Sequence, residues 1–435
     1  MNIAALTLST FNRPVLRPLR QRDFAIVWSA AAVSNIGTWV QTVAVGILVT
    51  QLTGRAAWTG LAAAAAFLPL GLLSPVGGAM ADRRNRRHIL LVTTMGEAIT
   101  AAALAVLVGT GSATPALVVG CVLVGACLTA FGLPAYQAIL PELVDREDLL
   151  GASALSLAQY NLGRVVGPAV AAVVLARGSF TWAFTLNAVS YGAVLAGLLL
   201  VRLPRNGPPS GDGSLVRRIG AGIRAVRAEP GCRLAIATVA LSAFLVAPFM
   251  ALIPAVAVKL FASGEAGTSL LITAQGVGAV TGGLALAGLA RRVGRRRVLV
   301  TDLLVLPVLV VIYALAPTLP VAAVMVTLVG AAYVGILSGL GTVVQLRAPT
   351  ALRARVMSLY MVALGSLYPL GALAQGVLGD RFGLRTVTVG GAVLFALTIV
   401  AVGLLRPGVS VAFDDPSPAA AATFTPGAGG AGSTG

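Results

Sequence analysis

The chain has 435 residues, of which 57% are hydrophobic and only 10% charged, yet its formal net charge is +17. Soluble domains carry roughly 25% charged residues, so this chain has too little polar surface to cover a globule in water, which excludes a soluble enzyme. The 31 basic residues against 14 acidic ones would suit nucleic acid. The mean hydropathy of +0.93 instead indicates lipid as the main solvent, and we expect no nucleic-acid partner.

Apolar runs of similar length recur along the chain. A membrane-spanning helix needs roughly 20 mostly apolar residues, whereas a strand of a membrane barrel is much shorter, so the run length favours helices. The fold class is therefore predicted as an all-α membrane protein with twelve transmembrane helices in two six-helix pseudo-repeats. The predicted spans are residues 24–50, 58–80, 88–109, 115–138, 152–176 and 182–201 in the first half, and 234–258, 269–290, 298–316, 320–344, 354–379 and 386–405 in the second.

The distribution of Lys and Arg predicts the orientation. With the N-terminus placed inside, 25 of the 31 basic residues fall in inner loops, five fall in outer loops, and Arg164 lies within a span. Cytoplasmic loops carry such an excess, so we expect a multi-pass protein of the cell membrane with both termini in the cytoplasm. The apolar residues 1–8 have no preceding basic region, and no signal peptide is predicted.

Composition divides the chain into five parts. We expect a cytoplasmic N-terminal segment, a first six-helix domain, a cytoplasmic linker, a second six-helix domain and a disordered tail rich in Pro, Ala and Gly. Their boundaries are 1–22, 23–203, 204–232, 233–406 and 407–435.

The central loop, residues 202–233, contains apolar residues at helical spacing with arginines between them. This pattern favours an amphipathic helix on an anionic inner leaflet. A solvated linker helix is the alternative. The apolar positions are Leu215, Ile219, Ile223 and Val226, and the arginines are Arg217, Arg218, Arg224 and Arg227.

Basic loops between the second and third span of each half suggest an internal duplication, as in many secondary transporters. The first of these loops matches the pattern G-x-x-x-D-R-x-x-R-R, and over residues 17–406 the chain resembles the major facilitator superfamily. The resemblance implies a conformational latch, whose acidic residue pairs across the domain interface in the outward-facing state. In the second copy Arg291 replaces the acidic residue. The latch residues are Gly78, Asp82, Arg83, Arg86 and Arg87.

The fifth span resembles the exporter signature of the same superfamily, G-x-x-x-G-P-x-x-G-G. Its matching residues are Gly163, Gly167 and Pro168, with Arg164 between them. Glycines four apart let another helix approach closely. We expect that partner to be the eighth span, which offers Gly276, Gly278, Gly282 and Gly283.

Two further stretches resemble the enterobactin-exporter and macrolide-efflux branch of the superfamily. They are R-D-F-A-I-V-W at 22–28 and P-A-Y-Q-A-I-L-P-E-L-V at 134–144. The resemblance implies proton-driven export of a bulky amphipathic small molecule, such as a drug, siderophore or secondary metabolite, by alternating access. The protein is expected to act as a monomer. Uptake by a proton symporter of the same fold, or a membrane scaffold without transport, are the alternatives.

Ionisable residues inside a span are functional candidates, because a charge there costs several kcal/mol unless it is paired or hydrated. Glu97 and Arg164 lie at comparable depths along their helices, and we expect a coupled pair in which protonation of Glu97 releases Arg164. A static hydrogen-bonded arrangement is the alternative. Asp302 is five residues from Arg297 and is expected to pair with that basic loop.

The resemblance places spans 1, 4, 7 and 10 around the substrate cavity. A polar stripe on the first span and mostly apolar residues on spans 7 and 10 suit an amphipathic cargo, while interhelical packing is the alternative for each residue. The candidates are Asn35, Thr38, Thr42, Phe244, Phe249, Met250, Tyr333 and Ser338.

Motifs of enzymes do not fit this chain. The single lysine, Lys259, lacks the frame of a P-loop, and the single histidine, His88, lies in a loop without clustered ligands. No metal, cofactor or catalytic residue is therefore predicted.

Overall fold

The structure is a computed structural model that describes residues 15–177, 179–201 and 215–414. Within these ranges fourteen α-helices are joined by tight turns and short 3-10 helices. The helices of the first half are α1 (Arg22–Thr53), α2 (Ala56–Arg83), α3 (Arg86–Gly109), α4 (Pro115–Ile139), α5 (Leu149–Arg177) and α6 (Phe180–Leu200). After α7 (Leu215–Ala228), the second half contains α8 (Pro230–Leu245), α9 (Pro248–Phe261), α10 (Gly264–Val293), α11 (Arg295–Ala314), α12 (Leu319–Arg347), α13 (Arg353–Phe382) and α14 (Leu384–Leu405).

Eleven stretches in the described ranges are long and apolar enough to cross a membrane. The twelfth crossing is α5, which has 29 residues and carries the polar residues Gln159, Asn161 and Arg164 near its middle. Helix α5 packs between α1 and α10, so protein rather than lipid surrounds much of it. The predicted fold class, twelve transmembrane helices in two sets of six, is confirmed.

The predicted seventh span is one crossing made of two helices. It breaks after Leu245, where Val246 and Ala247 turn before α9 begins at Pro248. Proline has no N–H to donate and is favoured in the first turn of a helix, so the chain starts a new helix there.

The two halves pack together at one end of the bundle. We call the end where α1 begins and α2 ends the basic end, and the other, where Asp380 lies, the Asp380 end. Towards the Asp380 end all residues of α1 from Val43 to Thr50 are buried, and so are all residues of α9 from Leu252 to Ala257. A helix that is buried on every side is surrounded by protein.

Helices α2 and α13 form the most extensive contact between the halves, which we call the α2–α13 seam. Near the Asp380 end the backbones touch: a Cβ on Gly60 would collide with the carbonyl of Ala372, and a Cβ on Gly376 would lie 2.6 Å from the carbonyl oxygen of Ala56. Glycine at both positions permits this approach.

The seam reaches at least the middle of the two helices, where a Cβ on Gly365 would lie 3.3 Å from the Cα of Gly71. Further along α2, towards the basic end, the nearest atom to a Cβ on Gly78 belongs to Pro134 of α4, in the same half. The backbone contacts between the halves that these glycines permit thus lie at the Asp380 end and near the middle of the bundle.

The central loop contains the helix α7. Helix α7 contacts α13, where a Cβ on Gly222 would lie 3.2 Å from Leu359 Cδ1 and 3.4 Å from Arg355 Cβ. Ala225 is buried in this contact, whereas Arg224 and Arg227 are exposed. The predicted apolar positions Leu215 and Ile219, and the arginines Arg217 and Arg218, have side chains outside the described set.

The prediction of disorder from residue 407 on is wrong for its first residues. Val409–Phe413 form a 3-10 helix in which Phe413 is buried. Arg296 binds this segment, with its Nη1 2.9 Å from Asp414 Oδ2 and its Nη2 2.8 Å from Ser410 Oγ. These charge-assisted hydrogen bonds stabilise an ordered segment here, although the sequence itself has a low propensity for regular secondary structure. Residues 415–435 of the predicted tail lie outside the described residues.

We expect Arg347→Ala to destabilise the basic end. Arg347 donates to Glu229 Oε1 (2.9 Å) and to the carbonyl oxygens of Asp414 (3.0 Å) and Val411 (3.3 Å). Loss of these bonds should lower the free energy of unfolding by about 1–3 kcal/mol, measured by denaturation in detergent. Arg353→Ala is the control, because Arg353 is exposed and has no recorded hydrogen bond; an equal loss in both variants would contradict this expectation.

Candidate functional site

The predicted latch loop, between α2 and α3, is fixed to its own half. Arg86 pairs with Glu142, which follows α4, and Arg87 Nη2 lies 3.2 Å from the carbonyl oxygen of Leu199 at the end of α6. Asp82 is half-buried, and no hydrogen bond or ion pair of its side chain is recorded within the described ranges. The bonds of Arg86 and Arg87 thus join the loop to its own half.

The glycines of the exporter signature contact a different helix from the one predicted. A Cβ on Gly163 would collide with Asn35, and one on Gly167 would collide with Trp39, so both face α1. Of the four predicted glycines on α10, Gly276 is the one that contacts α5 in the described structure, where a Cβ would lie 3.4 Å from Val165 Cγ2. The prediction that Gly278 and Gly282 pack on α5 is wrong, since both face α12 and a Cβ there would collide with Thr327 or Ala331.

Arg164 spans the contact between α5 and α10. Its Nη2 donates to Gln275 Oε1 at 3.2 Å, which joins the two halves by a side-chain hydrogen bond. Gln275 is 2% exposed, and its Nε2 has no hydrogen-bond partner in the described part of the chain. Tyr333 and Tyr368, on α12 and α13, lie near Arg164.

Aromatic rings extend this cluster on both sides. Trp39 and Tyr160 pack edge to face with centroids 6.2 Å apart, and Phe67 and Tyr368 do so at 5.5 Å. The second pair bridges α2 and α13, and therefore both halves. We call these side chains the Arg164 cluster: Trp39, Phe67, Tyr160, Arg164, Gln275, Tyr333 and Tyr368.

The structure does not join Glu97 to Arg164, contrary to the predicted pair. Glu97 lies on α3, and its Oε1 accepts a hydrogen bond from Thr129 Oγ1 on α4 at 2.5 Å. Arg164 has its partner on α10 instead. The two charged groups thus have separate surroundings, one inside the first half and one between the halves.

The hydrogen bond between Glu97 and Thr129 can form in both protonation states of Glu97. Thr129 Oγ1 also lies 3.0 Å from the carbonyl oxygen of Gly125, but a hydroxyl has only one hydrogen to donate. When Glu97 is ionised, Thr129 can donate to the carboxylate. When Glu97 is protonated, it can donate to Thr129 Oγ1, and Thr129 can then donate to Gly125. Neither state leaves the carboxyl group without a partner.

Polar side chains connect the region of Glu97 to α1. Tyr191, on α6, lies near Glu97, and its hydroxyl lies 3.3 Å from Thr38 Oγ1 on α1. One turn earlier on α6, Asn187 Nδ2 donates to Gln41 Oε1 at 2.9 Å. These two bonds join α6 to α1, the helix that also carries Trp39 of the Arg164 cluster.

The predicted polar stripe on the first span makes packing contacts. Asn35 Nδ2 donates to the carbonyl oxygen of Gln159 at 2.9 Å, directly beside the glycine surface of α5. Thr38 and Thr42 donate to carbonyls of their own helix, at 3.0 and 2.8 Å. Of these two threonines, Thr38 also reaches a side chain of another helix, through Tyr191.

The predicted cavity residues on spans 7 and 10 occupy different surroundings. Phe249 is 1% exposed and packs edge to face on Tyr313 at 6.0 Å, so it belongs to the core of the second half and not to a cargo path. Met250 packs on the same core, whereas Phe244 is partly exposed. Tyr333 alone of these residues lies in the Arg164 cluster.

Ser338 lines a cavity of about 270 Å³, between α10, α11 and α12 at the basic end. This cavity lies inside the second half, so Ser338 is placed away from the interface between the halves. Asp302 also turns towards α12, where its Oδ2 occupies the space that a Cβ on Gly335 would need. No ion pair of Asp302 is recorded within the described ranges, and its predicted pairing with the loop around Arg297 is wrong.

Sequence reasoning missed four aromatic members of the cluster and its amide. Trp39, Phe67, Tyr160 and Tyr368 lie on helices whose apolar composition hides them, and Gln275 is the single amide side chain of α10. A polar residue within a span was the available signal for Gln275. Among the described residues, no three His, Cys, Asp or Glu side chains lie together in a group that could hold a metal ion.

The sequence and the fold of this chain are similar to those of known proteins. Residues 14–417 match the family model described as transmembrane secretion effector. The chain is 27% identical over 371 residues to the multidrug efflux pump Tap of Mycolicibacterium fortuitum, covering 83% of this chain and 90% of that one. It is 29% identical over 393 residues to Tap of Mycobacterium tuberculosis (87% and 91%) and 25% identical over 371 residues to macrolide efflux protein A of Streptococcus pyogenes (83% and 90%).

Solved structures share the fold. A bacterial homologue of the human lysosomal transporter Spinster, in an inward-facing and unoccupied conformation, aligns with a TM-score of 0.72 at 17% identity over 92% of this chain and 99% of that one. The nucleoside transporter NupG aligns with a TM-score of 0.69 at 16% identity over 87% and 98%. Because the family model covers nearly the whole helical bundle, the chain belongs to the transmembrane secretion effectors, an efflux branch of the major facilitator superfamily, and is a transporter rather than an enzyme.

Proposed function

We propose that this protein is a proton-driven exporter of bulky amphipathic small molecules, such as drugs, siderophores or secondary metabolites. The observation that carries the proposal is the Arg164 cluster. Its members come from both halves of the bundle, and the halves touch at the Asp380 end on one side of it. A cargo held there changes sides when the halves rock against each other.

The chemistry of the cluster indicates the class of cargo. Aromatic rings offer large apolar surfaces for the body of a molecule, while Arg164 and the unpartnered Nε2 of Gln275 offer donors to carbonyl or hydroxyl oxygens. Macrolides combine both features, and relatives of this chain are named for macrolide and multidrug efflux.

The positive-inside rule supports the orientation. If the basic end faces the cytoplasm, both termini are cytoplasmic, the protein lies in the cell membrane, and the present conformation is inward-facing. The exposed Arg224 and Arg227 of α7 then face anionic lipids of the inner leaflet. The position of Asp82 fits a latch that closes only when the basic end closes, in the outward-facing state.

Proton coupling is assigned to Glu97. It is a carboxyl group within a span, and its hydrogen bond to Thr129 can form in either protonation state. Tyr191 lies near it and shares a hydrogen bond with Thr38 of α1. The transport unit is one chain, because the Arg164 cluster is complete within a single copy. We assign the predicted domains to the two six-helix sets and to the linker that contains α7.

Transport into inverted membrane vesicles tests the function. Vesicles with an acidified lumen are given a labelled macrolide, and an exporter driven by protons should accumulate it in the lumen, with loss of the signal when the gradient is collapsed. Vesicles from cells without the gene are the control. Proton-dependent movement in the opposite direction would show a symporter, and cargo binding without any movement would show a scaffold; either result contradicts the proposal.

Arg164→Leu should lower this efflux by about tenfold or more, because it removes the charge and leaves Gln275 Oε1 without its donor. Arg164→Lys, which keeps the charge but not the planar donor group, should retain part of the activity. Arg177→Leu is the matched control, since Arg177 is exposed at the end of the same helix. Equal efflux by Arg164→Leu and Arg177→Leu, measured at equal expression, would remove Arg164 from the cargo site.

A further inference from the structure

Asp380, at the end of α13, reaches across the seam to the start of α2. Its Oδ1 accepts a hydrogen bond from the Ala56 N–H at 2.7 Å, and its Oδ2 accepts one from the Ala57 N–H at 2.9 Å. The side chain of Asp380 is only 12% exposed. A carboxylate of the second half therefore binds the first turn of a helix of the first half.

Helix α2 lacks a cap from its own chain segment. Arg55 is its N-cap residue and makes no side-chain hydrogen bond to the first turn. The first N–H groups of a helix have no partner within the helix, and the helix dipole adds partial positive charge there. Asp380 satisfies two of these donors and places a negative charge at the favourable end.

Two basic side chains complete the contact. Lys259 Nζ, at the end of α9, lies 2.9 Å from Asp380 Oδ1, and Arg55 Nε lies 3.8 Å from Oδ2. Arg55 comes from the first half and Lys259 from the second, so basic side chains of both halves offset the negative charge of the Asp380 carboxylate. Charge-assisted bonds of this kind are about twice as strong as neutral ones.

These contacts exist only while the halves touch at the Asp380 end. The N–H groups of Ala56 and Ala57 and the carboxylate of Asp380 are on opposite sides of the seam, so opening the seam there must break both bonds. The close backbone contacts at Gly60 and Gly376 come next along the seam, and they separate in the same motion. The strength of the Asp380 contact thus enters the free-energy difference between the two states of the transporter.

We propose that Asp380 is the positioning residue that holds the Asp380 end closed, and that its carboxylate must leave the α2 N-terminus and Lys259 before the cargo site can open at that end. This role rests on the proposed alternating access, but the contact itself can be tested without cargo or protons. It mirrors the predicted latch at Asp82, which lies at the opposite end and is disengaged here.

The test is a distance measurement by double electron–electron resonance on purified protein in lipid nanodiscs. Cys121, Cys127 and Cys232 are first replaced by Ser, and spin labels are placed at the exposed positions Leu52 and Phe382, on either side of the seam. We expect Asp380→Asn, which keeps the shape but removes the charge, to shift the ratio of open to closed populations about tenfold towards the longer distance. A second label pair at Leu150 and Ala354 should report narrowing at the basic end.

Arg381→Gln is the matched control, because Arg381 is the exposed neighbour of Asp380 and has no recorded partner; its distances should equal those of the parent. Lys259→Gln should shift the populations in the same direction as Asp380→Asn by a smaller factor, and Asp380→Glu should restore the short distance in part. Unchanged distances in Asp380→Asn, or equal shifts in the Arg381 control, would overturn the proposal. If the distances change as expected and the protein moves no cargo in vesicles, the proposed export fails and the role of Asp380 in closing this end stands.

Discussion

Replacing Glu97 by Gln is expected to abolish efflux driven by a proton gradient while leaving cargo exchange intact. The amide oxygen introduced by Glu97→Gln can still accept a hydrogen bond from Thr129 Oγ1, the partner that Glu97 has at 2.5 Å. The amide has no proton to release, so the step that couples cargo movement to protons is lost. We expect accumulation in inverted vesicles to fall by about tenfold or more.

Exchange experiments separate coupling from binding. Vesicles loaded with unlabelled cargo take up labelled cargo without a proton gradient, because exchange requires only that the loaded transporter change sides. Glu97→Gln should retain this exchange, since no member of the Arg164 cluster is altered. Loss of both activities would indicate a structural role for Glu97 instead.

Glu265→Gln is the matched control for this prediction. It is also a Glu to Gln change, but it lies in the first turn of α10 at the Asp380 end, away from Thr129. The variant should keep gradient-driven accumulation. Thr129→Val provides a second variant for this test. It removes the hydroxyl that can bond to Glu97 in both protonation states, and we expect a partial loss of proton-coupled efflux with normal cargo exchange. Gradient-driven efflux at the parental rate in Glu97→Gln would contradict the assignment.

Hydropathy and charge predict the helical framework of this protein well, because both follow from a local requirement. Each crossing must be apolar over its full length, and each loop must remain in water, so the spans and the short polar turns can be read directly from the sequence. Helix α5 shows the limit of the rule. Its polar middle is tolerated because α1 and α10 cover it.

The choice of helix neighbours could not be predicted in the same way. Gly163 and Gly167 indicate a bare helix face, and this face exists, but the spacing does not say which helix it meets. The residues that settle the matter are Asn35 and Trp39, whose side chains need the space that the two glycines leave. Small residues occur on every closely packed membrane helix, so the glycines of α10 offered an equally suitable partner.

Contacts between distant parts of the chain were the hardest to foresee. Asp380 and Ala56 are 324 residues apart, and an acidic residue at a helix end is most simply interpreted as a solvated loop charge. The aromatic members of the Arg164 cluster are hidden for a related reason, because a Tyr or Phe in an apolar span carries no distinct signal. The closure of the Asp380 end therefore emerges only when both halves are placed together.

Leucine in place of Gly60 is expected to abolish efflux by preventing closure of the Asp380 end. A Cβ at this position would collide with the carbonyl of Ala372 and lie 3.0 Å from the Cα of Leu373. Both obstacles are backbone atoms, so no change of rotamer can move them away, and the neighbouring helix must shift as a whole. We expect efflux to fall by about a hundredfold, because the closed state of the seam becomes inaccessible.

Gly192→Leu is the control, since Gly192 is on α6 and no atom lies within 4 Å of a Cβ there. It adds the same volume to a membrane helix without a collision. Gly376→Ala offers a milder test on the other side of the seam, where the added Cβ would lie 2.6 Å from the carbonyl oxygen of Ala56. Efflux should therefore decrease in the order parent and Gly192→Leu, then Gly376→Ala, then Gly60→Leu.

The distance between labels at Leu52 and Phe382 distinguishes a blocked seam from a damaged protein. Gly60→Leu should give the long distance as the main population, while the protein remains monodisperse and helical. Adding Asp380→Asn to this variant should change the distances little, because the hydrogen bonds that it removes are already broken. Two changes that act on one closed state are not additive, whereas two independent defects would be. Parental efflux by Gly60→Leu would show that the two halves need not touch at this end during transport.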